Sequence, residues 1–240
     1  MKTKYIEMRP LEFKEAINKA PIAYLPLGTL EWHGYHMPLG ADGLQSENLF
    51  EHVAKEVGGV VLPMLFLGPD RIKKLDDIEY YGMDFCTHDS LIEYEDQMML
   101  GSAYYVNDEL FKEILLNIAK QLKRAGFKIL VAHGHGPSTR IYNELKSEFE
   151  HIGLKTINIF ELVDDDKYKY QNDHACANET SLMMVTNEEL VDLSILNDTN
   201  KIAMAGSDPS DNASLEYGQK ILDINIEKLS MKLRELLKSE

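Results

Sequence analysis

Apolar runs alternate with amphipathic segments along most of this 240-residue chain. Short, mostly apolar runs are typical of strands that are buried in a sheet. We predict four such strands, at residues 22–27, 60–67, 128–132 and 156–160.

Segments with apolar residues at helical spacing lie between and after these runs. Pro10 suits the first turn of a helix, and Asn107 suits a helix N-cap. Glycines are expected to end three of the helices. The predicted helices begin at residue 10, span 44–57, 107–124, 138–151 and 214–238, and include one that starts near residue 177.

The order of these elements predicts the fold class. Alternation of strands and helices is typical of an α/β domain with a mostly parallel sheet that is flanked by helices on both faces. A chain of this length favours one domain, and we expect a single domain over residues 1–240. Residues 68–107 are less regular, because polar and aromatic residues interleave there.

Carboxylate and imidazole side chains follow two of the predicted strands. Glu31 and His33 come just after residues 22–27, Asp42 follows on a loop rich in Gly and Pro, and His135 comes just after residues 128–132. Residues two apart in an extended chain point to the same side, and ligands of parallel sheets bind at the carboxyl ends of strands. A mixed carboxylate–imidazole set suits Zn, Mn or Fe better than Ca or Mg, and Glu179 is a plausible further partner. The alternative is that these are hydrogen-bonded loop residues.

Four motifs around these residues resemble those of the creatininase (creatinine amidohydrolase) family of metal-dependent amide hydrolases. They correspond to G-x-x-E-x-H-G at residues 28–34, G-x-D at 40–42, N-G-H-G-G-N at 133–138 and H-A-G-x-x-E-T-S at 174–181. The motifs keep the family's order and span most of the chain. They indicate the family strongly and the substrate only weakly.

The resemblance implies two divalent metal ions, with the residue at Asp42 bridging them. Residues like Glu31 and His135 would complete one site, and residues like His33 the other. Two ions that are close together can activate a water molecule and polarise a substrate carbonyl.

The second metal site departs from the family pattern. Creatininase carries a Glu where this chain has Pro137, which cannot bind a metal. Glu179 is the expected substitute, either as a metal ligand or as a carboxylate that orients a ligand. We therefore include it among both the metal-binding and the catalytic candidates.

Three further residues of these motifs are candidates for chemistry. His174 matches the family histidine that moves protons, although a histidine there can also cap the following helix. Cys176 replaces the usual Gly; a cysteine nucleophile is possible in principle, but the metal-activated water already supplies a nucleophile. His133 stands where the family has Asn, and support of the ligands is favoured over substrate binding or weak metal ligation.

The substrate-recognition elements of creatininase are missing. Residues 68–105 contain no clear counterpart of its G-x-S-x-E-H and F-P-G-T motifs, and Tyr170 and Gln171 stand in place of its Trp-Asp pair. We therefore expect a substrate other than creatinine. The basic residues Arg71, Lys73 and Lys74 are candidates for binding an anionic group, with a solvated loop as the simpler interpretation.

Composition limits the kinds of partner and the cellular compartment that we expect. Forty acidic residues against 25 basic ones give a net charge of −15, which argues against nucleic acid or an anionic membrane as a partner. No apolar run is long enough to span a bilayer, and the N-terminal residues lack the apolar core of a signal peptide. Cys86 and Cys176 form no disulfide framework, so a reducing cytoplasm is expected.

These features together predict a metal-dependent hydrolase that cleaves a small-molecule amide, lactam or formamide by a metal-activated water. A non-catalytic metal- or ligand-binding member of the family is the alternative, and a metal-dependent phosphoesterase is a weaker one. The resemblance also implies a homo-oligomer, with a hexamer as the state common in the family. Tyr80, Tyr81 and Phe85 are aromatic candidates for its interface.

Overall fold

The computed structural model describes residues 2–85 and 91–238. No helix within these ranges is long and apolar enough to cross a membrane. The main elements, in chain order, are α1 (Pro10–Lys19), β1 (Ile22–Leu27), α2 (Ala41–Val57), β2 (Val60–Val61), β3 (Ile72–Leu75), β4 (Ile78–Tyr81), α3 (Asp108–Ala125), β5 (Ile129–Gly134), α4 (Gly136–Glu144), α5 (Lys146–Ile152), β6 (Lys155–Ile157), α6 (Ala177–Thr186), α7 (Pro209–Asn212) and α8 (Leu215–Lys238).

The central sheet is parallel, with the strand order β2-β1-β5-β6. Successive side chains of β1 pack into two separate hydrophobic cores, because the side chains of a strand alternate between the faces of the sheet. Ile22 and Tyr24 pack with helices α2, α6 and α8, whereas Ala23 and Leu25 pack with α1, α3, α4 and α5. The predicted α/β fold, with a parallel sheet covered by helices on both faces, is confirmed.

Several predicted boundaries were wrong, and each error has a local cause. Only Val60 and Val61 of the predicted strand at residues 60–67 form a strand, since Pro63 lacks the N–H that would continue the ladder. The predicted helix 138–151 is two helices that meet at Leu145. The predicted strand 156–160 ends at Ile157, where the Asn158 side chain accepts a hydrogen bond from the Phe160 amide and starts a short 3₁₀ helix.

The irregular segment at residues 68–107 contains an antiparallel hairpin, β3 and β4, that the sequence pattern did not predict. Ile72 pairs with Tyr81, and Leu75 pairs with Ile78. Most positions of both strands are exposed, so burial imposes no alternation of apolar and polar residues on them. Tyr81 is half-buried because its ring stacks on Tyr105, with 5.1 Å between the ring centroids.

Candidate metal centre

The carboxyl ends of β1 and β5 bring the predicted ligands to one rim of the sheet. The chain turns sharply after β5 at Gly134, whose φ is +140°. A Cβ at this position would lie 1.7 Å from the Leu27 carbonyl oxygen, so only glycine fits. The close approach lets the His135 amide donate to the same carbonyl at 2.9 Å, which places His135 beside the loop that carries Glu31.

Glu31, Asp42 and His135 form the first group of candidate ligands. Nδ1 of His135 lies 3.0 Å from Glu31 Oε1 and 3.1 Å from Asp42 Oδ2. The opposite nitrogen, Nε2, lies 3.1 Å from the Pro69 carbonyl oxygen. In a neutral ring, an Nε2–H that donates to this carbonyl leaves the Nδ1 lone pair directed at the two carboxylates.

His33, Asp42 and Glu179 form the second group. Nε2 of His33 lies 3.3 Å from Asp42 Oδ1 and 3.8 Å from Glu179 Oε2. The other ring nitrogen of His33 lies 3.2 Å from the Glu31 carbonyl oxygen, so the same tautomer argument leaves Nε2 free. Asp42 thus directs one oxygen at each group. Within each group, one ligand atom from every residue lies within 4.8 Å of the others.

Two helix N-termini carry these carboxylates. Asp42 lies in the first turn of α2, and Glu179 lies in the first turn of α6, where the helix dipole favours negative charge. Asp173 caps the first turn of α6: its side chain accepts hydrogen bonds from the backbone amides of Asn178 at 2.8 Å and Glu179 at 3.0 Å. Ala175 adopts a left-handed conformation with φ of +55°, and its amide donates to Glu179 Oε2 at 2.8 Å. This strained residue therefore helps to orient the Glu179 carboxylate.

The buried charges of the centre interact strongly with one another. Burial opposes ionisation of Glu31, but the nearby His135 charge outweighs it and lowers the pKa of Glu31 to about 2. Burial likewise opposes protonation of His33, but the Asp42 carboxylate raises the pKa of His33 to about 10. Attraction between opposite charges also lowers the pKa of Asp42 and raises the pKa of His135. The imidazoles thus act as the cationic partners of the carboxylates.

Two further carboxyl groups of the centre lack an imidazole that would fully stabilise their charge. Burial and the Asp42 charge raise the pKa of Glu179 well above its usual value. Burial and the Glu31 charge raise the pKa of Asp70 to about 7. Asp70 Oδ2 is buried and has no hydrogen-bond partner among the described residues. A buried excess of carboxylate oxygens beside correctly oriented imidazole nitrogens fits divalent cations of the Zn or Mn type.

His174 lies against the second group. Its ring stacks on His33, with 4.4 Å between centroids, and its Nε2 lies 2.8 Å from the Trp32 carbonyl oxygen. Burial and the neighbouring His33 charge lower the pKa of His174, which favours a neutral ring that can accept a proton. Glu31, His33 and His174 also form a third group with ligand atoms within 4.8 Å of one another. The geometry therefore permits either proton transfer or metal binding by His174.

A cleft of about 370 Å³ opens onto this centre. Gln171 lines it and donates to the Asp42 backbone carbonyl at 2.9 Å. Arg71, one of the predicted anion-binding residues, also lines it, whereas Lys73 is paired with Asp96 at 2.6 Å. A larger polar cavity, of about 640 Å³, shares only Asp173 with this cleft and holds none of the candidate ligands.

The other residues considered from sequence lie apart from the candidate ligands. His133 is buried beneath the centre, where its Nε2 lies 3.3 Å from the Tyr170 carbonyl oxygen and burial lowers its pKa to about 4. The Cys176 thiol is fully buried and burial raises its pKa, which disfavours a nucleophilic thiolate. His36 contacts the Thr180 hydroxyl at 2.8 Å, and His88 lies outside the described residues.

Two carboxylates of the cleft, Asp70 and Asp173, were missed by the sequence analysis. Asp70 follows the apolar run at residues 60–67. Although only Val60 and Val61 of that run form a strand, Leu65 still bridges Leu27 at the end of β1, so the position of Asp70 after the run was a usable signal. Asp173 directly precedes His174, but nothing in its sequence context distinguishes a helix-capping carboxylate from a solvated one.

Comparison with known proteins identifies a family for this chain. A family model described as creatinine amidohydrolase matches residues 7–84 and 95–231. Among curated protein sequences, none matches this chain significantly.

Solved structures share the fold at low sequence identity. A crystal structure of creatinine amidohydrolase superposes with a TM-score of 0.74 and 20% identity, covering 97% of both chains. A manganese form of creatininase has a TM-score of 0.73, and a mutant creatininase of the Zn–Zn type has a TM-score of 0.72. Each of these two is 20% identical and covers 98% of both chains. The family model spans most of the chain and the fold agrees over nearly its whole length, so the chain belongs to the creatininase family.

Proposed function

We propose that this protein is a metal-dependent amidohydrolase that cleaves the C–N bond of a small-molecule amide, lactam or formamide. The observation that carries the proposal is the position of Asp42. One of its oxygens faces His135 and the other faces His33, and each histidine lies beside a second carboxylate. A carboxylate shared between two such groups can hold two ions close together, as two-metal catalysis needs.

Each group has its own set of proposed ligands. Glu31, Asp42 and His135 would hold one ion, and His33, Asp42 and Glu179 would hold the other. When bound, a pair of divalent ions polarises a carbonyl and makes water a better nucleophile near neutral pH.

The chain supplies proton transfer and substrate selection. At the ring nitrogen that does not face the Trp32 carbonyl, His174 accepts the proton that the attacking water loses, and it then passes this proton to the leaving nitrogen of the substrate. The cleft of about 370 Å³ is of a size that suits a small molecule. We propose that one hydrolase domain spans residues 1–240 and that it works in the cytoplasm, consistent with the small number of cysteines.

A substrate screen tests the proposed reaction. The protein loaded with zinc or manganese is assayed against panels of small amides, lactams, formamides and phosphate esters, with Asp42→Ala as the inactive control. We expect turnover of a C–N substrate that depends on added metal. Two bound ions with no turnover of any panel would favour a non-catalytic member of the family, and turnover of phosphate esters alone would favour a phosphoesterase.

Glu179→Gln tests the second group. If Glu179 binds a metal, the variant is expected to lose one ion and retain the other, because the Glu31 group does not include it. If Glu179 only orients a ligand, both ions remain and the affinity for one falls roughly 10–100-fold. A metal titration monitored by calorimetry distinguishes these two outcomes. Unchanged affinity and activity would exclude Glu179 from the centre.

Assembly is a separate prediction from the family resemblance. We expect a homo-oligomer of the hexameric type. The β3–β4 hairpin is a candidate interface, because Ile72, Leu75 and Ile78 on it are 41–55% exposed. The aromatic candidates Tyr80 and Phe85 are half-buried within the monomer, which makes them weaker interface candidates. Light scattering measures the mass, and Ile78→Lys is expected to reduce it if the hairpin is the interface. A wild-type monomer would exclude the assembly.

A further inference from the structure

Asp70 lies on the side of His135 that faces away from the candidate ligands. Its Oδ2 is 3.6 Å from His135 Nε2, whereas Glu31 and Asp42 contact the opposite ring nitrogen, Nδ1. The Asp70 side chain is 3% exposed. Its other oxygen, Oδ1, accepts a hydrogen bond from the Arg71 amide at 2.7 Å, which holds the carboxylate in this orientation.

The neighbouring loop leaves space for this carboxylate. Gly82 has a φ of +53°, and a Cβ there would lie 2.2 Å from Asp70 Oδ2 and 3.1 Å from Glu31 Oε2. The Gly82 amide donates to the Arg71 carbonyl at 2.9 Å, so the hairpin fixes the glycine beside Asp70. The absence of a side chain at this position is therefore what permits Asp70 and Glu31 to approach His135 from two sides.

Asp70 is not a member of any group of three residues, within the described ranges, whose ligand atoms converge within 4.8 Å. A role as an additional metal ligand is thus disfavoured. The carboxylate instead faces the ring nitrogen that must carry a proton when Nδ1 acts as the ligand. Its Oδ2 is buried without a hydrogen-bond partner among the described residues, although a buried carboxylate oxygen normally has one.

We propose that Asp70 is a positioning residue that, together with the Pro69 carbonyl, keeps the proton of His135 on Nε2 and so strengthens Nδ1 as a metal ligand. This inference rests on the proposed function, because it takes Glu31, Asp42 and His135 to hold an ion. A carboxylate near the N–H of a ligating imidazole fixes the tautomer and makes the other nitrogen more basic.

The two histidines of the centre differ in this respect. Among residues 2–85 and 91–238, the hydrogen-bond partner of the second nitrogen of His33 is a backbone carbonyl, that of Glu31. His135 directs its second nitrogen at the Pro69 carbonyl and also at the Asp70 carboxylate. The effect of Asp70 should therefore be confined to the ion held by His135.

Asp70→Asn tests the proposal, because asparagine keeps the volume and an accepting oxygen for the Arg71 amide but removes the charge. Zinc affinity is measured by competition with a chromophoric chelator at fixed pH, with no substrate present. We expect one of the two ions to bind roughly 10–100-fold more weakly and the other to be unchanged. When cobalt replaces zinc, the visible spectrum of Asp70→Asn should differ from that of the wild type at that one site.

The matched control is Asp84→Asn, which removes another buried carboxylate from the same segment. Asp84 accepts hydrogen bonds from the backbone amides of Met99 at 2.7 Å and Tyr81 at 2.9 Å, so its two oxygens face backbone amides and not His135. The control therefore measures the general effect of removing a buried carboxylate from this segment. Its zinc affinities should match the wild type. Equal weakening in both variants would show a structural effect and overturn the proposal, as would unchanged affinity in Asp70→Asn.

A measurement on the wild type removes dependence on any variant. Nitrogen-15 NMR of the histidine rings in the zinc-loaded protein should show the His135 proton on Nε2, and a proton on Nδ1 would overturn the proposal. Failure of the proposed function is separately visible, since a wild-type protein that binds no zinc at Glu31, Asp42 and His135 contradicts the metal centre itself. Zinc binding with an insensitive Asp70→Asn contradicts only the role of Asp70.

Discussion

Replacement of His174 by alanine is expected to lower kcat roughly 10²–10⁴-fold, the usual contribution of a positioned acid–base group. The loss should fall on kcat more than on KM, because proton transfer stabilises the transition state and not the bound substrate. Kinetics on the substrate found by the screen measure the effect. His151→Ala is a matched control, since that histidine is exposed on α5 and its Nδ1 lies 2.7 Å from the Ser147 carbonyl oxygen of its own helix.

The role of His174 also predicts how the rate depends on pH. Burial lowers the pKa of His174, so the neutral, proton-accepting ring dominates at neutral pH and is lost as the pH falls through a value below the usual 6.5. The wild-type rate should therefore decline on the acid side, and the His174→Ala rate should lack that decline. Metal content must be measured at each pH, because acid also protonates the ligands.

Metal analysis of the same variant separates the two roles that the geometry permits for His174. Full metal content with low turnover identifies a proton carrier. Loss of an ion would instead assign His174 to the group with Glu31 and His33. Normal turnover with full metal content would contradict both roles.

Asp42→Ala is expected to lose most of both metal ions, because a single carboxylate takes part in both groups. Affinity should fall by at least about 100-fold at each site, beyond the effect usual for an outer partner of a ligand. Elemental analysis after dialysis measures the loss. Circular dichroism shows whether the fold survives, and Glu113→Ala on the exposed face of α3 is the control for removal of an acidic side chain.

The pattern of loss distinguishes a shared carboxylate from a carboxylate that serves one ion. His33→Ala and His135→Ala should each remove mainly one ion, whereas Asp42→Ala should remove both. Retention of one full equivalent of metal in Asp42→Ala would contradict the shared role. Retention of both would remove Asp42 from the centre.

The amino-acid sequence by itself was sufficient to predict the architecture and the convergence of the candidate ligands. The strand at residues 22–27 and the start of the strand after Lys128 follow from local apolar runs, and parallel strands necessarily end at one edge. Glu31, His33 and His135 follow such ends, so their proximity depended on topology and not on fine packing. Their assignment to two groups that share Asp42 came from the family resemblance, and the arrangement of side chains is compatible with it.

The remaining features were decided by contacts between residues that are far apart in the chain. Asp70 reaches His135 only because the hairpin places Gly82 beside it, and no local pattern encodes that contact. The orientation of Glu179 depends on the strained Ala175 and on the α6 cap, and His133 turned away from the centre toward Tyr170. Local propensity and periodicity therefore determined the main helices, the core strands and which ligands at their ends reach the rim. Only tertiary packing decided which carboxylate faces which nitrogen, because that choice depends on distances of a few tenths of an ångström between distant segments.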